Sequence, residues 1–274
     1  MNKKNLRVAC VQVNASSDWK KNLQSIRKQV EKAAAAKVQL IALPENFCWR
    51  GQAKQLSYIA NQITPLVLQE FKILARRFRL TFLLGSLIEP SKQKRRYFNT
   101  SFLISSEGRI IAKYRKIHLF DISLRNKVVT QESRYIAPGR HITIGKVRNI
   151  PVGLTICYDL RFPELFRRLV GLGSEIIFVP SNFTETTGRA HWEILLRARA
   201  IENQVFIVAP AQVGKHPANQ IQSFGTSLVI DPWGRILARG DRRKEGVLIA
   251  LLKMDFLRKL RRSFPVLGHR RVRS

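Results

Sequence analysis

Three cysteines in 274 residues, scattered at positions 10, 48 and 157, are too few and too far apart for a disulfide framework or a paired-cysteine metal site. No apolar run approaches the ~20 residues of a membrane helix, and the chain enters a strand-like alternation almost at once, with no room for a signal peptide. Five histidines include no pair at ligand spacing, since His118 and His191 are far apart, so no metal or organic cofactor is implied. There is no internal repeat and no low-complexity linker. These absences describe one soluble domain over residues 1–274 in a reducing compartment, which we take as the cytoplasm.

Acidic residues are also scarce: 18 Asp and Glu face 49 Lys and Arg, a formal charge of +31. Such a field attracts anions, nucleic acid and anionic membranes without making any of them a physiological partner. The densest basic stretches are KQKRRYF and the tail at about 258–274, and neither has the spacing of a nucleic-acid module. A solvated basic surface, with non-specific nucleic-acid binding as its by-product, accounts for both.

What is present is an alternation of strands and amphipathic helices. Residues 6–13 read as a strand in which Cys10 is packed. Apolar positions 23, 26, 30 and 33/34 recur at helical spacing, VQLIALPEN is a buried strand, and PLVLQEFKILARRF a second helix. TFLLGSLIE follows as a strand, then a hairpin turning at Ser106-Glu107-Gly108. Residues 117–141 read as a long loop. PELFRRLVGLG and HWEILLRARAIENQ are helices, EIIFVPSNF and VFIVAPAQV strands, and SLVIDPWGRILAR a hairpin from which GVLIALLK is expected to pair onward. Strands interleaved with helices and hairpins predict an α/β domain with mixed sheets.

GLTICYDLRFPEL holds the most chemistry. Leu154, Thr155 and Ile156 read as a buried strand end and Pro163 as a first helical position. Cys157 sits where strand turns into helix, and backbone N–H groups there favour a thiolate and any oxyanion it creates. On the local pattern it is either a nucleophile or a small buried hydrophobe. Glu45 lies at the carboxyl end of a strand, where open α/β sheets gather active-site groups, although most glutamates are simply exposed. Lys116 and Glu132 are ordinary when taken singly.

Together, LPEN around Glu45, KYRKIHLFD around Lys116 and GLTICYDLRFPEL around Cys157 resemble the three signatures of the carbon–nitrogen hydrolase (nitrilase) superfamily, in the expected order. TQES around Glu132, TTGRAHWEILLRARAIENQ and the DPWG turn extend the resemblance over nearly the whole chain. It implies a nitrilase-like α-β-β-α sandwich, its four layers completed on dimerisation with two per subunit, and a homodimer or higher homo-oligomer. It further implies a cysteine amidase that cleaves a small carboxylated amide to acid and ammonia through a thioester. In that scheme Cys157 attacks and Glu45 carries the proton. Lys116 and the Tyr158 backbone N–H hold the oxyanion, while Glu132 serves beside the triad, positioning rather than transferring protons.

The flanking blocks look most like the deaminated-glutathione amidases. The alternatives are ω-amidases acting on α-ketoglutaramate-like acids, N-carbamoyl hydrolases, and a nitrilase scaffold turned into a basic nucleic-acid binder. Both leading substrates are anionic. Arg161 could clamp a substrate carboxylate or pair with Glu164, and Phe183, Thr186 and Thr187 match a loop near the family's pocket. Two stretches depart from the pattern: ISLRNK after Asp121, where a proline-glycine turn is usual, and Thr226, where histidine is common. They are expected to alter the pocket-covering loop and the packing near the pocket or dimer edge.

Overall fold

In the computed structural model, residues 5–93, 95–124 and 128–272 are described. The strand β1 (Leu6–Gln12) is apolar on both faces and almost wholly buried. That pattern marks a strand covered on both sides. Leu6, Val8 and Cys10 point into one hydrophobic cluster and Ala9 and Val11 into another, the period of two that a pleated strand imposes.

The helix α1 (Trp19–Ala35) starts where the Asp18 carboxylate accepts from the N–H groups of Lys20 and Lys21, both at 3.1 Å. Such a cap contributes about 1 kcal/mol. Its stripe Leu23, Ile26, Val30 and Ala33 joins Val67, Phe71 and Leu74 of α2 (Thr64–Phe78) against the outer face of the first sheet. That sheet runs β14 (Gly246–Leu252), β1, β2 (Leu40–Ala42), β3 (Thr81–Pro90), β4 (Tyr97–Ile104) and β5 (Ile110–Arg115). β1, β2 and β3 are parallel, β14 and β4 run antiparallel to them on either side, and β5 is antiparallel to β4.

The second sheet repeats this plan. β8 (Ile144–Val147), β9 (Ile150–Leu154), β10 (Ile176–Phe178), β11 (Phe206–Ala209), β12 (Leu228–Ile230) and β13 (Ile236–Arg239) follow one another in space, with β9, β10 and β11 parallel. Side chains of α3 (Pro163–Gly171) and α4 (Glu193–Asn203) pack with its strands, and Leu6, Val8, Leu40 and Leu83 of the first sheet belong to the same cluster. The two sheets therefore share their inner faces within one polypeptide.

Three expectations need correction. All four layers lie in a single chain rather than arising on dimerisation, because both inner apolar faces belong to the same molecule. GVLIALLK does not pair onward from the preceding hairpin; as β14 it crosses to the other sheet and runs antiparallel along β1. Within 117–141 the chain forms an antiparallel pair, β6 (Asp121–Leu124) with β7 (Val128–Gln131), followed by a short helical turn, Glu132–Arg134. The tip of that hairpin, residues 125–127 of the atypical ISLRNK, lies outside the described residues. The basic tail starts inside α5 (Met254–Ser263), whose Met254, Leu257 and Leu260 are buried. Arg261 of that helix donates to the carbonyls of Gln204 and Ser174.

Candidate active site

Glu45 follows β2 immediately after Pro44, and a glycine makes room for it. A Cβ on Gly85 would stand 1.9 Å from the Leu43 carbonyl, so the β3 bulge presses against the Leu43–Pro44 backbone only because residue 85 has no side chain. The Glu45 carboxylate is buried and fully engaged. Its Oε1 accepts from Lys116 Nζ at 3.1 Å and Asn99 Nδ2 at 2.9 Å, and its Oε2 from the Asn182 N–H at 3.0 Å.

Lys116 comes directly after β5, its N–H bonded to the Asn99 carbonyl on β4. The ammonium, 2% exposed, also meets Glu132 Oε2 at 2.8 Å and Oε1 at 3.1 Å. Burial works against its charge, but Glu132 and then Glu45 outweigh it, and its pKa lies well above the usual lysine value. Lys116 is thus a fixed cation. Glu132 is held in turn by the Phe120 N–H at 2.7 Å.

Cys157 opens a short helical turn (Cys157–Arg161) after β9, with φ at +48°. Its N–H donates to the Pro180 carbonyl at 2.9 Å. A non-glycine residue in the left-handed region costs about 1–3 kcal/mol and persists where its surroundings enforce it. Much of that enforcement comes from Asp159, whose Oδ2 accepts from Tyr114 Oη at 2.7 Å and the Ile156 N–H at 2.8 Å. Its Oδ1 accepts from the His118 N–H at 3.1 Å and lies 2.7 Å from His118 Nδ1. One buried carboxylate therefore ties the Lys116 segment to the Cys157 turn. Burial, and then the Glu45 charge, push the Cys157 thiol well above the ordinary thiol range, while Lys116 and the Asn182 N–H pull the other way without prevailing. The resting sulfur is a neutral thiol beside a carboxylate that can accept its proton.

Glu45, Lys116, Glu132 and Cys157 all line one cavity of about 360 Å³. The structure thus brings together four residues that the sequence separates by more than a hundred positions. A narrow hollow on the Cys157 side is bordered by Tyr158, Arg161, Phe183, Thr184 and Thr187, whereas Thr186 is exposed. Arg161 lies over the rings of Tyr158 and Phe183 and meets His191 Nδ1 at 3.2 Å. The salt bridge to Glu164 is not formed. Thr226 is buried at φ +55°, its carbonyl accepting from Trp192 Nε1 at 2.7 Å while its own hydroxyl has no partner. Trp192 in turn packs on Phe183, which lines the pocket. Among the described residues, no three His, Cys, Asp or Glu side chains are grouped to hold a metal ion.

Asn99, Tyr114, Asp159 and Asn182 were not anticipated from the sequence. Asp159 carried a signal: it is an acid in an apolar turn, in a chain with few acids to spare. Asn99 and Asn182 carried none: Asn99 reaches Glu45 from β4, two strands along the same sheet from β2, and Asn182 only when the second sheet closes on the first.

Thiol chemistry at this site is directly checkable. Burial pushes the Cys48 thiol to about 12 and the Cys10 thiol higher still, and neither lies beside a base. With iodoacetamide at neutral pH, peptide mass spectrometry is expected to find Cys157 alkylated first, and Glu45→Gln is expected to slow that labelling by ~10²-fold, the usual contribution of a positioned base. Prior labelling of Cys10 or Cys48 would contradict the arrangement.

Comparison with known proteins gives a consistent result. The carbon-nitrogen hydrolase family profile matches residues 7–262. The chain is 38% identical over 275 residues to the deaminated glutathione amidase of Homo sapiens, covering 96% of this chain and 82% of that protein. It is 37% identical over 274 residues to that of Yersinia enterocolitica, covering 99% and 95%. Among solved structures, the C. elegans NitFhit protein superposes with a TM-score of 0.93 at 35% identity over 99% of this chain, which spans 66% of that chain. Saccharomyces cerevisiae Nit3, a member of branch 10 of the nitrilase superfamily, superposes with a TM-score of 0.87 at 30% identity, covering 98% and 97%.

Proposed function

This chain belongs to the carbon-nitrogen hydrolase family, and from that premise we propose that it is a cysteine amidase whose substrate is deaminated glutathione. The observation that carries the mechanism is the clustering of a neutral thiol, a buried carboxylate and a doubly paired ammonium around one cavity. Glu45 takes the Cys157 proton as the sulfur attacks the amide carbon. The negative oxygen that forms lies against Lys116 and the Tyr158 N–H. Glu45 then passes the proton to the departing nitrogen, the C–N bond breaks, and a thioester remains. Glu45 next deprotonates a water that attacks the thioester, and the proton returns to sulfur as the acid leaves. The sum is amide plus water giving acid plus amine. Glu132 does not exchange protons in this cycle; it keeps Lys116 charged and in place.

Relatives named deaminated glutathione amidase, at 35–38% identity over nearly the whole chain, support the substrate. The chemistry of that compound refines the expected products: hydrolysis of its side-chain amide leaves 2-oxoglutarate and frees cysteinylglycine, so the leaving amine is a dipeptide and not ammonia. An ω-amidase acting on a primary amide would release ammonia. A panel of deaminated glutathione, α-ketoglutaramate, an N-carbamoyl amino acid and a nitrile, read for 2-oxo acid and for ammonia, tests the assignment. Highest kcat/KM on deaminated glutathione is expected, and a clear preference for another member replaces the substrate. Binding of nucleic acid that is tight only at low salt belongs to the surface charge.

The three free thiols fit a cytoplasmic setting, and no helix among the described residues is long and apolar enough to cross a membrane. The working form we propose is a homodimer. Supporting it is an exposed apolar strip on the outer side of the second sheet, comprising Ile194, Ile201, Trp233 and Phe264, with Ile194 70% exposed. Charge opposes association of two such basic chains, so the dimer is expected to strengthen as salt screens it. Sedimentation velocity over a salt series checks this; a monomer at every ionic strength would remove the dimer.

A further inference from the structure

Arg50 is buried, 1% exposed, and has no carboxylate partner among the described residues. Its Nε donates to the Ala15 carbonyl at 2.7 Å, Nη1 to Ser223 Oγ at 2.8 Å, and Nη2 to Asn14 Oδ1 at 2.9 Å and the Val213 carbonyl at 3.1 Å. A guanidinium has five N–H donors, so one on Nη1 is left over, and Arg50 lines the cavity. The acids of that cavity, Glu45 and Glu132, are taken up by Lys116. Burial without an acidic neighbour draws the Arg50 pKa down to about 10. Burial and then the Arg50 charge depress His216 to about 4, which leaves Arg50 the cation at this end.

The bonds to Val213 and Ser223 have a second consequence. They fasten both stems of the loop between those residues, which is pinched by the Lys215–Gln222 bridge. His216, Asn219 and Ile221 of this loop line the cavity. Ser223 Oγ continues to Asn182 Oδ1 at 2.7 Å, and the Asn182 N–H holds Glu45. A buried cation without a counter-ion is costly unless an anion completes it.

We propose that Arg50, with the loop it fastens, forms an anion subsite for a carboxylate carried on the leaving-amine side of the scissile amide, so that a substrate anionic at both ends meets Arg50 at one end and Arg161 at the other. The subsite rests on the amidase reading above. It makes Arg50 a specificity-determining residue that selects an amide with an anionic amine portion over a primary amide.

The test compares two substrates on the intact protein: deaminated glutathione, and the same compound with its glycine carboxylate capped as an N-methylamide, both read by 2-oxoglutarate release. Loss of one charge-assisted bond corresponds to ~10–100-fold, so the natural enzyme is expected to favour the free carboxylate by that ratio in kcat/KM. Arg50→Gln is expected to bring the ratio close to one, and Arg50→Lys to leave it in between. The ratio is read within each variant, so a general loss of turnover does not affect it. If one variant fails to fold, the other still reads the dependence on Arg50, and equal turnover by the natural enzyme alone overturns the subsite. Equal turnover of the two compounds, or a ratio unchanged by substitution, overturns the subsite and leaves the amidase standing. Turnover of neither compound alongside cleavage of a primary amide overturns the substrate class and the subsite together.

Discussion

Replacing Cys157 with alanine is expected to remove 2-oxoglutarate release from deaminated glutathione altogether, a fall on the order of 10⁶-fold of the kind seen when a hydrolase loses its nucleophile. No second thiol stands in reserve: Cys10 and Cys48 are packed in the two cores. In the proposed mechanism Lys116 and the Tyr158 N–H would still polarise the carbonyl, but polarisation without an attacking atom gives little turnover. The fold should survive, because the change removes one sulfur and leaves the +48° backbone conformation to be held as before by Asp159. A thermal melt within a few degrees of the natural protein, together with absent turnover, is the expected pair of results. Residual activity near the natural level would refute the nucleophile.

Lys116→Met is expected to cost stability as well as activity. Taking one partner from a buried ion cluster typically costs ~3–5 kcal/mol, because the charges left behind lose their compensation. Here two carboxylates, Glu45 and Glu132, would face each other with Asn99 between them; its Nδ2 lies 2.9 Å from Glu45 Oε1 and 3.4 Å from Glu132 Oε1. Like charges in one site raise a carboxylate pKa. In the variant, a proton shared by the pair in the folded state is released more readily on unfolding. The deficit should therefore be small below about pH 4 and widen as pH rises through the raised pKa. In the natural protein the sign is the opposite of an acid-labile pair. The Lys116 pKa is raised by folding, so its own titration leaves stability unchanged below the ordinary lysine value and lowers it only as pH climbs beyond that. Urea titrations of both proteins at several pH values check this, and a deficit independent of pH would contradict the charge argument.

How much of this could be read from the residues depends on how far apart in sequence the cooperating groups lie. α1, α2, α3 and α4 were legible because each presents an apolar stripe at helical spacing, and the β4–β5 hairpin because Ser106-Glu107-Gly108 closes it locally. The β6–β7 pair was hidden because its alternation is weak. The destination of GVLIALLK was hidden because nothing local distinguishes a partner next door from one at the other end of the chain. The positions of Glu45, Lys116, Cys157 and Glu132 were legible only through the resemblance of whole stretches, since each residue is commonplace alone. The bonds that orient them depend on strands distant in sequence, within one sheet for Asn99 and between the two sheets for Asn182 and Asp159, and left no trace in spacing. Arg50 followed the LPEN stretch in plain view, but a basic residue in a chain so rich in them draws no notice until its burial is known.

The pairing of β14 with β1, Leu6 opposite Leu252 through Gln12 opposite Gly246, has a consequence for biosynthesis. β1, complete at Gln12, waits until Gly246–Leu252 has been made before β14 covers its outer edge. Contacts so distant in sequence form slowly, and an uncovered apolar edge invites pairing with other chains. A nascent chain stalled before residue 246 would hold both helical layers yet leave that edge bare, which makes the closing strand the step at which a finished molecule parts company with an aggregating one.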